Sequence, residues 1–322
     1  MDNTFEKAVE WIHSHTVSDN KGIMVTDKQC FIYPEVTGYY IPSLLNIGEV
    51  ELAKSYAKSL CKLQHDDGAW YDAFEENPMM FDTGQILKGL LAIRSYLPEV
   101  DYNILKGIEW FFSCLSAEGR LSHEGNQWPD ETHSSELILL YALSPILEAG
   151  SVFNKPEYSQ KVNTIIEYYL KNYREKIVNF SMFSHFYAYV VEAMVDCGRE
   201  EIAKEAMANM EKYVKSNGAI YGYNNVKWYC STAMFQFAVI WYKLGEKEKA
   251  DKTFHFACSL QNPSGGWYGS YTNTSIGKKL NRVWTKLGLS RPMYLKDEEI
   301  SWAVKYYLDA KVLKDKAEKL GK

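Results

Sequence analysis

The sequence has no run of about 18 apolar residues, so no membrane-spanning helix is expected. A basic excess is also missing. The net charge is −5 and the pI is near 5.9, which gives no overall field for binding nucleic acid. The six cysteines, at 30, 61, 114, 197, 230 and 258, make no C-x-x-C pair and point to reduced, mostly buried thiols. The first fifteen residues, MDNTFEKAVEWIHSH, have neither the basic stretch nor the long apolar stretch of a secretion signal, so a cytoplasmic protein is expected. There is no glycine-rich phosphate loop, G-x-S-x-G elbow or dinucleotide fingerprint, and no spacing of ligand residues diagnostic of a metal, so neither a metal nor another cofactor is expected.

Aromatic residues, in contrast, are abundant. They make up 15% of the chain, with 24 Tyr and 9 Trp, and such side chains combine large buried area with a polar handle. At 322 residues the chain exceeds what one ordinary core serves, which leaves two domains or a repeat architecture.

Internal periodicity decides between them. Glycines followed two positions later by a large apolar residue occur at Gly22, Gly68, Gly119, Gly218 and Gly265, at steps of 46, 51, 99 and 47. The step of 99 spans two periods, the unit near 172–180 having lost its glycine. In a second register a hydroxyl residue opens an apolar helix at Thr37, Thr83, Ser134, Ser184 and Ser231, at steps of 46, 51, 50 and 47. A hydroxyl there is expected to cap the unpaired N–H groups of a helix start. The segments that follow are apolar nearly all round and should be buried. Each is succeeded by an amphipathic helix, over 49–63, 102–115, 156–172, 199–215 and 247–260.

The two ends complement each other. The segment 5–15 reads as an outer helix without an inner partner, and 299–310 as an inner helix followed only by a charged tail. Six inner and six outer helices result if these pair, so the fold expected is all-α, an (α/α)6 toroid closed by its termini, forming one domain over 1–322. The step from Ser231 to Ser301 is 70 residues, which places an insertion at about 273–298. That insertion carries Lys278, Lys279, Arg282, Lys286, Arg291 and Lys296, a positive patch suited to an anionic ligand.

Two turns, Gln64-His65-Asp66-Asp67-Gly68-Ala69-Trp70 and Gln261-Asn262-Pro263-Ser264-Gly265-Gly266-Trp267, fit Q-x-x-x-G-x-W. This resembles the QW motif of squalene/hopene cyclases and prenyltransferase-like repeats, and it implies the toroid framework. The cyclase acid motif D-x-D-D is not matched, since the comparable place reads Phe81-Asp82-Thr83-Gly84-Gln85 with one carboxylate. The zinc trio of protein prenyltransferases and the Cys-His pair of lanthionine cyclase-like toroids are not matched either. Toroids also serve carbohydrate-active enzymes. The stretch Tyr33-Pro34-Glu35-Val36-Thr37-Gly38-Tyr39 is similar to one in the helical domain of glucuronyl C5-epimerases.

In a helical ring the loops before the inner helices line one mouth, so functional groups should gather around the repeated hydroxyls. The candidates for acid–base chemistry are Glu35, Tyr39, Asp82, Glu131, His133 and His185. Tyr33, Gln85, Trp128, Asp130, Tyr187, Tyr229, Arg282 and Arg291 are candidates for holding substrate. Asp82 could equally favour a helix N-terminus through the dipole, and His185 could be a core histidine. Glu35 lies in an apolar stretch where an unpaired charge is costly, which favours a specific role. The expected function is an enzyme acting on an acidic sugar or oligosaccharide, as a hydrolase, lyase or epimerase. The alternatives are an isoprenoid enzyme of the cyclase or prenyltransferase kind and a non-catalytic binding module.

Overall fold

The computed structural model describes residues 3–17, 19, 21–121, 134–272, 285–286 and 291–320. Its helices alternate between an outer and an inner layer. They are α1 (Thr4–His15), α2 (Pro34–Asn46), α3 (Val50–Leu63), α4 (Met80–Ile93), α5 (Asp101–Ser113) and α6 (Ser134–Ile138). After a 3₁₀ turn at Leu139–Ala142 come α7 (Leu143–Val152), α8 (Pro156–Val178), α9 (Ser184–Asp196) and α10 (Glu200–Glu211). Then α11 (Ser231–Lys243), α12 (Lys247–Cys258) and α13 (Ser301–Leu320) complete the described helices. The inner positions are α2, α4, the α6–α7 run, α9, α11 and α13. Each packs on the next, and α13 packs on α2, so the ring closes as an all-α toroid.

Closure uses residues from both ends of the chain. The Trp11 indole donates to Glu299 Oε2 at 2.7 Å, and Gln261 Nε2 donates to Thr4 O at 2.9 Å. Tyr40 Oη donates to Ser301 O at 2.7 Å, and Thr26 bridges Ile300. Outer α1 thereby becomes the partner of inner α13, the pairing expected from the two incomplete ends.

The Gln…Gly-x-Trp turns are built alike. Gln64 Nε2 donates to Gly68 O and Asn103 O, and Gln261 Nε2 donates to Gly265 O and Thr4 O, all at 2.9 Å. Trp70 Nε1 reaches Leu60 O at 2.7 Å, and Trp267 Nε1 reaches Ala257 O at 2.9 Å. Both turns need a left-handed glycine, with φ 101° at Gly68 and 100° at Gly265. These tryptophans are fully buried framework.

Several expectations are corrected. Thr37, Thr83, Ser184 and Ser231 do not cap their own helices. α2 begins at Pro34 and α4 at Met80, so Thr37 and Thr83 lie inside the first turn. Their Oγ1 atoms instead accept from Ile23 N at 3.2 Å and Trp70 N at 3.1 Å, stitching each inner helix to the turn before it. Where a glycine turn was lost near 172–180, α8 runs on to Val178 through one non-helical residue, Tyr173 (φ −134°, ψ 17°). The charged tail continues α13 to Leu320, with Lys311 pairing to Asp315 at 2.6 Å, one turn away. All six cysteines are free thiols, with Cys30 exposed. Two short antiparallel strand pairs, Thr16–Val17 with Gly22–Ile23 and Tyr229–Cys230 with Ser270–Tyr271, brace the loops.

Inner helices approach closely where glycines face them. A Cβ on Gly89 would lie 2.1 Å from Gly38 O. That carbonyl is the one left without its helical donor by Pro42, four residues on, so the proline and the two glycines form one contact between α2 and α4.

Candidate active site

The N-terminal ends of the inner helices surround a cavity of about 210 Å³. Its walls are Tyr33 and Glu35 from the start of α2, Phe81 and Asp82 from α4, and His185, Phe186 and Tyr189 from α9. Tyr294 and Trp302, the latter at the second position of α13, complete it. Drug-sized ligands occupy pockets of roughly 300–1,000 Å³, so this space suits something nearer one sugar ring.

Two carboxyl groups face this space. Glu35 is 3% exposed and Asp82 1% exposed. Burial raises Glu35 well above the ordinary carboxylate range, and the neighbouring Asp82 charge raises it further. The Trp302 indole, 3.3 Å from Oε2, pulls the other way. Burial, followed by the charge of Asp72, pushes Asp82 up to about 8. Both carboxyls sit in the first turn of their helices, where the dipole favours negative charge, but desolvation outweighs that effect. The pair therefore holds at least one proton at neutral pH. Asp82 Oδ2 has no hydrogen-bond partner among the described residues.

His185 is held neutral. Its pKa is lowered to about 4, chiefly by burial, against a hydrogen bond from Nδ1 to Gln236 Oε1 at 2.7 Å. Its Nε2 is 3.4 Å from Tyr189 Oη. One turn along from the two acids lie Tyr39, whose hydroxyl interacts with Glu35 and Tyr189, and Gln85, whose Oε1 is buried without a partner among the described residues. A buried polar atom like Gln85 Oε1 is one that a ligand or water can satisfy. The Tyr33 phenol, half-buried at the rim, is pushed far above its usual range by the Asp82 charge and then by burial.

The floor is polar as well. Tyr306 Oη donates to Tyr141 Oη at 3.0 Å, and Lys88 Nζ donates to Tyr141 Oη at 3.2 Å. Lys305 Nζ lies 3.8 Å from the centre of the Tyr306 ring and 2.7 Å from Asp309 Oδ2. Deeper still, Lys243 bridges Glu192 at 2.8 Å and Asp196 at 2.6 Å.

The candidates read from the sequence divide clearly. Glu35, Asp82, His185 and Tyr33 come together in the cavity, with Tyr39 and Gln85 just beneath. Tyr187 faces away, against Phe180 and Phe237, and Tyr229 stacks on Tyr221 at 5.2 Å, so neither lines the cavity. Arg291 lines a neighbouring cavity. Trp128, Asp130, Glu131, His133 and Arg282 lie outside the described residues. Phe81, Phe186, Tyr189, Tyr294 and Trp302 were missed, although Phe81, Phe186 and Trp302 lie within two positions of a repeated hydroxyl. Glu299, also near that register, is structural, accepting from Trp11, from Asn262 at 2.8 Å and from Ser264. Among the described residues no three His, Cys, Asp or Glu side chains are grouped to hold a metal, and no helix is long and apolar enough to cross a membrane.

No protein-family model matches the chain, and no curated protein sequence matches it. Solved structures do. An unsaturated glucuronyl hydrolase specific for heparin superposes with a TM-score of 0.73 at 13% identity, covering 99% of this chain and 97% of its own. A sugar epimerase from a ruminal bacterium gives 0.69 at 12%, covering 99% and 97%. A possible GH105 family member from Salmonella enterica gives 0.65 at 13%, covering 99% and 94%. The cyclase side of the motif resemblance gains no support from these structures. At such identities the likeness establishes the fold: this chain shares its helical toroid, over nearly its whole length, with solved carbohydrate-active enzymes.

Proposed function

We propose that this protein is a glycoside hydrolase, with Glu35 and Asp82 as its acid–base pair. The observation that carries this reading is the pair itself, two carboxyl groups only 3% and 1% exposed that line one cavity of one-ring size. Glu35 is the proton donor, because the Asp82 charge adds to burial in keeping it protonated. Asp82 is the carboxylate that assists attack at the anomeric carbon. The proton goes to the glycosidic oxygen, the C1–O bond breaks, and water supplies the new hydroxyl. Trp302 orients Glu35, and the aromatic walls exclude water from the developing charge.

An acidic ring is the preferred substrate class. It is supported by the heparin-specific hydrolase among the structural neighbours and by the cationic segment, which brings Arg291 beside the site. A second reading, epimerisation, is favoured only by the neutral imidazole of His185, which can accept a proton at neutral pH. Carbanion chemistry calls for cations facing the substrate, and the described lining contains no Lys or Arg. A non-catalytic platform would have no use for two desolvated carboxyls, whose arrangement opposes folding.

The test is release of reducing sugar from a panel of uronate-containing and neutral disaccharides, with loss of ultraviolet absorbance for the unsaturated uronates. Deuterium uptake from solvent without cleavage would move the assignment to epimerisation. Silence across the panel would overturn both readings.

A further inference from the structure

Beside the carboxyl cavity lies a second one, of about 340 Å³, that the acid–base pair does not use. Phe183, Tyr223 and Trp228 form one side and the segment from Arg291 to Leu295 the other. Tyr294 belongs to both cavities, so the two share a wall. Phe183 stands immediately before α9 and meets the His185 ring edge-on at 5.9 Å.

The rings here are arranged rather than merely collected. Phe183 and Tyr223 stack at 5.3 Å and 28°, Tyr294 meets Phe183 at 4.9 Å, and Trp228 stands against Tyr223 at 82°. Trp228 is locked in place. Its Nε1 donates to Arg291 O at 3.3 Å, and a Cβ on Gly222 would lie 2.0 Å from its ring, so only glycine lets the indole seat there. The Arg291 guanidinium lies 4.5 Å from the centre of the Tyr223 ring. An aromatic wall with one cationic edge offers stacking to the C–H face of a sugar and a donor to its polar substituents.

We propose that this cavity is a leaving-group subsite that holds a second pyranose ring while the first occupies the carboxyl cavity. This rests on the glycoside-hydrolase reading. It makes the substrate a disaccharide or longer, with the scissile bond beside Tyr294. Tyr223 is a specificity determinant that touches the leaving ring and takes no part in proton transfer.

The experiment compares two donors of the same sugar, a disaccharide and the glycosyl fluoride, whose leaving group has no ring. Tyr223→Ala is expected to raise KM for the disaccharide by about tenfold, equivalent to ~1.4 kcal/mol, and to change the fluoride less than about twofold. Tyr223→Phe keeps the ring and should restore the parental KM. Equal effects on both donors, or no effect on either, would overturn the subsite. If no glycoside in the panel is turned over, binding decides instead. Titrating Asp82→Asn with heparin- and chondroitin-derived disaccharides should quench tryptophan fluorescence, and adding Tyr223→Ala should weaken that binding about tenfold. Disaccharide binding indifferent to Tyr223→Ala would sink the proposal whatever the fate of the hydrolase reading.

Discussion

Replacing Asp82 by Asn keeps the shape of the side chain and removes its charge, so stability and activity should move in opposite directions. In the folded protein the carboxyl is raised from 3.8 to about 8, burial being the main cause. Between those values the folded state holds a proton that the unfolded state has released, so stability falls as pH rises through the window. At 1.36 kcal/mol per pH unit the ceiling on this cost is about 6 kcal/mol. Proton sharing with Glu35 brings the cost below that ceiling. Asp82→Asn should therefore unfold with the parental protein near pH 4 and above it at pH 8–9, by a few degrees in Tm on the usual scaling for chains of this size. Turnover should fall by about 10²–10⁴-fold, the usual contribution of a positioned acid or base. Thermal melts at several pH values need no substrate. A variant less stable than the parent at pH 9, or one with parental turnover, would refute the reasoning.

Glu35→Gln should abolish the descending, alkaline limb of the kcat/KM profile, which tracks loss of the donated proton; an unchanged profile would exclude Glu35 as the acid. Glu299→Ala strands the donors on Trp11, Asn262 and Ser264 and opens the ring closure, so urea unfolding should show a loss of about 3–5 kcal/mol, with Glu299→Gln much milder. Gly89→Ala forces a methyl group to within 2.1 Å of Gly38 O, where only backbone movement gives relief. It should cost at least about 1–3 kcal/mol by the same assay.

The architecture was legible because a helical hairpin cannot bury its inner face alone, and that requirement repeats along the chain about every 50 residues. Closure was legible from two incomplete ends. The role of the recurring hydroxyls was not, because a Thr in the first turn and a Thr at the cap look alike in sequence, and only the fold shows Thr37 bonded to Ile23. Glu35 stood out as an acid in an apolar stretch, and Asp82 as the single carboxylate opening an inner helix, where a helix-terminus role was equally open. Their aromatic neighbours did not, since Trp302 and Tyr189 have the same local signature as core residues. Tyr187 was selected where Tyr189 lines the site. Residues two apart on a helix face nearly opposite ways, and His185 with Tyr189, four apart, share the face toward the axis.

Burial and the neighbouring carboxylate charges keep a proton on the acid pair at the mouth, and two cations of the barrel do little to remove it because they are already paired. Lys243 is bound by Glu192 and Asp196, and Lys305 by Asp309 at 2.7 Å. Lys305 lowers the Glu35 carboxyl only weakly, although it lies on α13, the helix that also supplies Trp302. Asp309 also accepts from Ser43 at 2.6 Å, which ties α13 to α2. Replacing Asp309 by Asn removes a negative charge and leaves the Lys305 ammonium unbalanced, and both changes favour the ionised form of Glu35. The alkaline limb of kcat/KM should then move to lower pH, while Tm falls because a cation 2% exposed has lost its counter-ion. A limb that stayed put or moved to higher pH would show that the floor of the barrel has no electrostatic hold on its mouth.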